Sequence, residues 1–454
     1  MTYNHRHFTI MIPKIIDKGC RKDRVMSNKK TCIGDGRRDA KMINDHLTKT
    51  LNQQGLHKKI THLSGVKKAI SFFVDIKAFS MINDYYGYET GNRFLKVFVR
   101  DLKRLFNKRC LVSRYSGAQF VVVCYGMIKN KHNLEDVFDR LISLSEKPYD
   151  IHGHEVSFKM SVGYAVFPDD TNDLNRLISL SSIATKHASN DKKCAIIRYE
   201  SQMGEALHER VLVGHRIMSA MEHNEIDVFF QKVIDVETKE VTYVEELVRW
   251  TDKEIGYISP DRLFDAAKDF HMTNKLEIYI CEKTFAYFSR FREQSQYGEI
   301  KLSVNLTPES LTSKTFFNHF DEIVDSYGID KDDICIEISE KAFVNHTEVL
   351  IASIHMINQK GYRIALDDFG KDYSSLSMLE KIPFDIIKID KLFIDDIQDE
   401  KNQEIIKMVR NVSKLSSAEI IAEGVETQSQ SDILQFLDCR QQQGYLHHKP
   451  EKLL

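Results

Sequence analysis

No two cysteines in this chain are spaced Cys-x-x-Cys, no apolar run is long enough to cross a bilayer, and neither sign of charge prevails. Each absence excludes something. The eight cysteines are scattered, which predicts reduced, mostly buried thiols rather than a disulfide framework or a zinc site. A net charge of −2 over 454 residues gives no global field to draw in nucleic acid or a membrane surface. His447-His448 and His152-Gly153-His154 lack metal-ligand spacing and read as loop histidines. His5, Arg6 and His7 precede a short apolar run that Pro13 breaks, which is no secretory signal. The expectation is a cytoplasmic protein with no membrane span and no nucleic-acid partner.

The hydrophobic share is 42% and the charged share 29%, ordinary for a globular chain. The length suggests two or three domains. Residues 1–39 are basic and irregular and read as a tail. Over residues 40–200, strands alternate with amphipathic helices. The strands include Ala69 to Ile76 and a hairpin from Cys110 to Tyr125 turning at Ser116-Gly117-Ala118, the mark of an α/β unit. Residues 201–226 read as a linker helix, with Leu207, Val211, His215, Met218 and Met221 at helical spacing.

From residue 227 to 454, eight short apolar strands alternate with amphipathic helices, which predicts a parallel sheet closed as a (β/α)8 barrel. The apolar run Ile364 to Leu366 ends in Asp367-Asp368, with Gly370 beyond. Two carboxylates at the end of a buried strand repel unless a cation compensates them. A solvated turn is the other reading of that stretch alone. The wider pattern favours the cation. Glu245, Asn305, Glu337, Asp367, Lys388, Glu423 and Gln443 each lie in or at the end of a different strand. Strand ends converge at one mouth of a barrel. With Asp368 and Glu426 added, such a cluster calls for cations, and ligation by oxygen alone favours Mg²⁺ or Mn²⁺ over Zn²⁺.

Two resemblances are carried by these residues. Residues 40–200 resemble a GGDEF domain through the phrases Phe73-Val-Asp-Ile76, Ile82-Asn-Asp-Tyr-Tyr-Gly-Tyr88 and Arg114-Tyr-Ser-Gly-Ala-Gln-Phe120. That palm-like family condenses two GTP molecules into cyclic di-GMP. Here Ala118 and Gln119 stand where the family has acidic residues, Lys77 replaces a second acid near Asp75, and Asn92 replaces a nucleotide-contacting Asp. The resemblance therefore implies no cyclase activity, with at most weak GTP binding through Asn83 and Asp75.

The barrel region is similar to an EAL domain, a cyclic di-GMP phosphodiesterase. The matching phrases include Val244-Glu-Glu-Leu-Val-Arg-Trp250, Ser303-Val-Asn-Leu-Thr-Pro308, Leu366-Asp-Asp-Phe-Gly370, Ile387-Lys-Ile-Asp390 and Ala422-Glu-Gly-Val-Glu-Thr427. It implies that Glu245, Asn305, Glu337, Asp367, Asp368 and Glu423 hold two cations. Lys388 orients the attacking water, and Gln231, Arg249, Asp368, Glu426 and Gln443 lie against the dinucleotide. Glu340 braces the loop after Asp368. A homodimer through the barrel is implied as well. Departures from the family pattern are Glu246 for Ala, Lys232 for Pro, His447 for an aromatic and Lys371-Asp372 in the loop after the Asp pair. Glu246 is expected to face the helix layer and to need a lysine or arginine partner there. A cyclic di-GMP receptor without turnover, and a regulator acting through protein contacts, are the alternative readings.

Overall fold

The computed structural model describes residues 43–453 apart from 64, 107–109, 127–130, 147, 189–193, 295–299, 344–346 and 371–380. The tail at 1–39 and Lys371, Asp372 and Tyr373 lie outside the described residues. Contacts divide the chain into two units, the second beginning at Glu205.

The first unit is built on a five-stranded sheet. Its strands are β1 (Ala69–Ile76), β2 (Cys110–Ser116), β3 (Gln119–Tyr125), β6 (Met160–Phe167) and β7 (Cys194–Arg198), in the order β2-β3-β1-β6-β7. A separate small hairpin joins β4 (Tyr149–Ile151) to β5 (His154–Val156). Strand β1 is buried along nearly its whole length, as its unbroken apolar run requires of a central strand. The helix Tyr88–Leu105 lays Phe94, Leu95, Phe98 and Leu102 into the core. Cys110 and Cys124 are direct partners across β2 and β3 and form a disulfide. The expectation of reduced thiols fails for this pair, because the hairpin register brings together two residues that no local spacing marks. Cys194, Cys281, Cys335 and Cys439 are free and buried.

The second unit is a closed eight-stranded barrel. Its strands are β8 (Ile226–Asp235), β9 (Val241–Asp252), β11 (Lys301–Asn305), β12 (Ile334–Ser339), β13 (Arg363–Phe369), β14 (Ile386–Ile389), β15 (Glu419–Ala422) and β16 (Gln441–Gln442), with β10 (Gly256–Ile258) appended to β9. Strands β9 and β11 to β16 run parallel, whereas β8 is antiparallel to both β9 and β16. The all-parallel expectation is thus corrected at one strand. Only residues 236–240 separate β8 from β9, and Asp235 Oδ1 caps the amides of Glu237 and Thr238 in that turn. A parallel partner needs a crossover of a dozen residues or so.

The helix Ser201–Glu222 packs on the barrel through Val213, Gly214, Ile217, Ala220 and Met221. Of the residues expected to mark its face, Val211 is exposed and Met221 is buried, so the buried stripe is rotated from the one read in the sequence. No described helix is long and apolar enough to cross a membrane.

Candidate active site

Alternation along each strand decides which side chains face the barrel axis. Glu245 on β9, Asn305 on β11, Glu337 on β12, Asp367 on β13 and Lys388 on β14 are joined by Glu423 and Gln443, which directly follow β15 and β16. They gather around one ammonium group. Lys388 Nζ lies 2.7 Å from Glu423 Oε1, 2.8 Å from Glu337 Oε2, 3.2 Å from Glu245 Oε2 and 3.6 Å from Asp367 Oδ1. Gln443 Nε2 donates to Glu245 Oε2 at 2.6 Å, and Asn305 Nδ2 donates to Glu245 Oε1 at 3.4 Å.

Four carboxylates around one lysine cannot all stay ionised at no cost. Burial opposes the charge on Glu245, yet Lys388, Gln443 and Asn305 hold its carboxyl below the usual range. Burial, with Glu245 and Asp367 nearby, pushes Glu337 well up. Burial lifts Glu423 to about 8 against the pull of Lys388. Lys388 is only 1% exposed, but the surrounding carboxylates outweigh its desolvation and raise its pKa well above the ordinary value.

Asp367 and Asp368 sit where the β13–β14 register shifts between Leu366 and Phe369. Such a bulge re-aims side chains at a strand end. Asp368 takes φ +58°, a left-handed conformation that Asp tolerates better than most residues. Just beyond it, Gly370 N donates to Glu340 Oε2 at 2.9 Å. At the rim, Gln231 Nε2 donates to the His448 carbonyl at 3.0 Å and Arg249 Nη1 to the Val248 carbonyl at 2.9 Å. Glu426 is exposed and paired with Lys391, so it stands apart from the cluster around Lys388.

Among the described residues, no three Asp, Glu, His or Cys side chains form a ready-made metal cage; the lysine occupies the centre instead. The donor set still suits a hard cation. It is oxygen-only, and the buried Asp367 Oδ1 and Gln443 Oε1 accept no hydrogen bond from the described residues.

Behind the cluster lies a second acidic layer. Glu246 points away from Glu245 into the helix layer, as expected, and accepts Asn305 N at 3.4 Å. The anticipated pairing is not made: no ion pair to Glu246 forms among the described residues, and Arg249 acts on it only from a distance. Burial keeps its carboxyl protonated instead, with its pKa pushed up to about 8. Glu277, on the helix Thr273–Gln294, is also fully buried, and the sequence reading missed it. Helical spacing was the available signal, since Cys281, Thr284 and Phe288 share its face and are all buried.

In the first unit, Lys77 Nζ pairs with Asp75 at 3.1 Å, and Asp75 lies opposite Gln119 across β1 and β3. The remaining acid of that hairpin region is therefore neutralised by a side chain of the protein itself.

The EAL-domain family model matches residues 215–450, and the model of the diguanylate cyclase GGDEF domain matches residues 42–194. An uncharacterized protein of Sinorhizobium fredii, y4lL, is 28% identical over 413 residues, covering 89% of this chain and 49% of its own length. The bifunctional diguanylate cyclase/cyclic di-GMP phosphodiesterase MucR of Pseudomonas aeruginosa is 23% identical over 416 residues, covering 90% of this chain and 60% of its own. The chain thus spans about half to three-fifths of the length of these relatives. The structure of Vibrio cholerae LapD S helix-GGDEF-EAL bound to c-di-GMP aligns with a TM-score of 0.54 at 16% identity, over 91% of this chain and 98% of that one. That likeness is one of fold.

Proposed function

We propose that this chain, which belongs to the EAL-domain family and carries a GGDEF domain ahead of its barrel, is a metal-dependent phosphodiesterase that hydrolyses cyclic di-GMP to linear 5′-pGpG. The observation that carries this reading is the set of oxygen-bearing side chains from neighbouring strand ends, Glu245, Asn305, Glu337, Asp367, Glu423 and Gln443, gathered at one mouth of the barrel.

Glu245, Asn305, Glu337, Asp367, Asp368 and Glu423 would hold Mg²⁺ or Mn²⁺. When bound, the cations supply Lewis-acid activation of water and neutralise charge at the phosphate. Lys388 stays protonated among these carboxylates, so it acts as a donor that orients the attacking water and not as its base. Arg249 suits a phosphate oxygen, which a guanidinium can engage with two parallel hydrogen bonds. Gln231, Asp368, Glu426 and Gln443 border the dinucleotide. Glu340 holds the backbone after Asp368 through Gly370 N. Water adds to phosphorus, the bond to the 3′-oxygen breaks, and the proton is passed to that leaving oxygen.

Residues 40–200 act as a GGDEF regulator without cyclase activity, joined through 201–226 to a barrel over 227–454. Ala118 and Gln119 offer no anionic ligand, and Asp75 is already paired with Lys77, so two-metal phosphoryl transfer lacks its ligands there. Weak GTP binding, a barrel homodimer and a cytoplasmic location belong to the same reading.

One observation favours a second reading. Lys388 sits where the carboxylates converge, as suits a cyclic di-GMP receptor that needs no metal. The test is hydrolysis of cyclic di-GMP by the purified chain with Mg²⁺ or Mn²⁺, following pGpG by chromatography. Turnover that Glu245→Ala abolishes supports the enzyme. Cyclic di-GMP binding without turnover supports the receptor, and absence of both leaves a regulator acting through protein contacts.

A further inference from the structure

We infer that Glu277, a residue outside the barrel wall, is a positioning residue that delivers Asn305 to the site; this rests on the metal-dependent reading above. The β9–β11 ladder explains why Asn305 needs help. Its paired register ends at Ser303 opposite Glu245. Beyond that rung the backbone of β11 is held on this side by side chains. Asn305 N donates to Glu246 Oε2, and Thr307 N donates to Glu277 Oε1 at 2.8 Å while Thr307 Oγ1 donates to Glu277 Oε2 at 3.3 Å.

Thr307 is also the N-cap of the short helix Pro308–Leu311, so fixing it fixes the chain on both sides. One turn earlier on the same long helix, Asn274 Oδ1 accepts Ser310 Oγ at 2.8 Å. The helix Thr273–Gln294 therefore grips the segment 307–310 at two points. Asn305, two residues before the grip, donates its carboxamide to Glu245 Oε1 and to the Glu246 carbonyl. Glu277 is 1% exposed. A carboxyl so buried is costly unless its acceptors are used, and here the chain end that carries Asn305 uses both oxygens. Glu277 touches no reacting group, so its effect on the site passes through backbone.

The test is calorimetric titration of Mn²⁺ into the intact chain. Glu277→Met keeps the volume and removes both acceptors. Groups that orient metal ligands typically matter by about 10- to 100-fold in affinity, and that loss is expected here. Glu277→Gln, which still accepts Thr307 N, is expected to remain within about threefold of wild type, since one acceptor of the pair is retained. Val409→Ala, a core truncation on the helix Glu400–Ser416, serves as the stability control: it lowers the melting temperature but leaves Mn²⁺ affinity unchanged. Wild-type affinity in folded Glu277→Met, equal losses in the Met and Gln variants, or an equal loss in Val409→Ala each overturns the role of Glu277 alone. A wild-type chain that takes up no Mn²⁺ overturns both readings. Should Glu277→Met not fold, Glu277→Asp withdraws the acceptor by one methylene and should weaken Mn²⁺ about tenfold; unchanged affinity there overturns the proposal.

Discussion

Glu246→Gln should make the barrel more stable as the pH rises, measured against wild type. Glu246 is buried with no ion pair among the described residues, and burial, with Glu245 and Glu277 nearby, lifts its carboxyl to about 8 against the Asn305 amide and the more distant Arg249. In the unfolded chain a glutamate titrates near about 4.3. Between those values the folded chain holds a proton that the unfolded chain has released, so unfolding becomes easier as pH rises. One proton corresponds to about 1.4 kcal/mol per pH unit. Wild type should therefore lose about 3 kcal/mol between pH 5 and pH 7 through this one group. Glutamine keeps an acceptor for Asn305 N and does not titrate. The stability difference between variant and wild type should then widen by about 3 kcal/mol over that interval. Denaturant unfolding in chelator at pH 5, 6 and 7 measures it. The chain has a single tryptophan, Trp250, buried in β9, so its fluorescence reports the barrel alone. A difference that stays constant with pH would refute the reasoning, because Glu246 would then be ionised throughout.

The other predictions draw on the same contacts. Lys388→Met leaves Glu245, Glu337, Asp367 and Glu423 without their shared ammonium; in chelator the barrel should lose about 3–5 kcal/mol, Mn²⁺ should recover part of the loss in thermal melts, and turnover should vanish. Gly444→Ala would bring a methyl within 2.1 Å of the Val425 carbonyl. A backbone atom there cannot swing aside, so about 1–3 kcal/mol of stability and the Gln443–Glu245 contact should go together, read by denaturation and by the hydrolysis assay. Asp321 accepts Lys331, Lys360 and Tyr362, and despite some burial these hold its carboxyl at about 2. Its stabilisation is present above the unfolded value near about 3.9 and fades as pH falls toward 2. Asp321→Asn should therefore cost about 1 kcal/mol at neutral pH, after allowance for solvent screening, and almost nothing at pH 2, by the same denaturation assay.

The barrel was legible because its strands are apolar runs broken by a few polar residues. A carboxyl inside such a run has only the barrel axis or the helix layer to face, and alternation assigns the side. That logic placed Glu245 and Glu246 on opposite faces of β9, and the structure has them so. It failed at β8, where strand direction depends on the length of a loop and not on the strand itself. It also could not give the conformation of Asp368, since a bulge arises from the pairing of two strands and leaves no mark in either alone. The disulfide was hidden for a related reason: Cys110 and Cys124 are neighbours only through the register of β2 on β3.

Glu246 and Glu277 raise the harder case, because each breaks a local rule in a way that looks like an error in isolation. An acid in the wall of a barrel, and another on the buried face of its covering helix, should each destabilise the fold. Seen together, both carboxyls meet β11 beyond the last rung of its ladder with β9. On that side the ladder ends, while Asn305 stays paired with Glu337 on β12, and its carboxamide donates to Glu245. Backbone amides freed on that side need acceptors, and apolar side chains offer none. A strand end that loses its neighbour on one side to serve a site thus creates a demand for buried acceptors on that side. A buried acid flanking such a strand is then evidence of where the site lies, even when it is too far away to touch it.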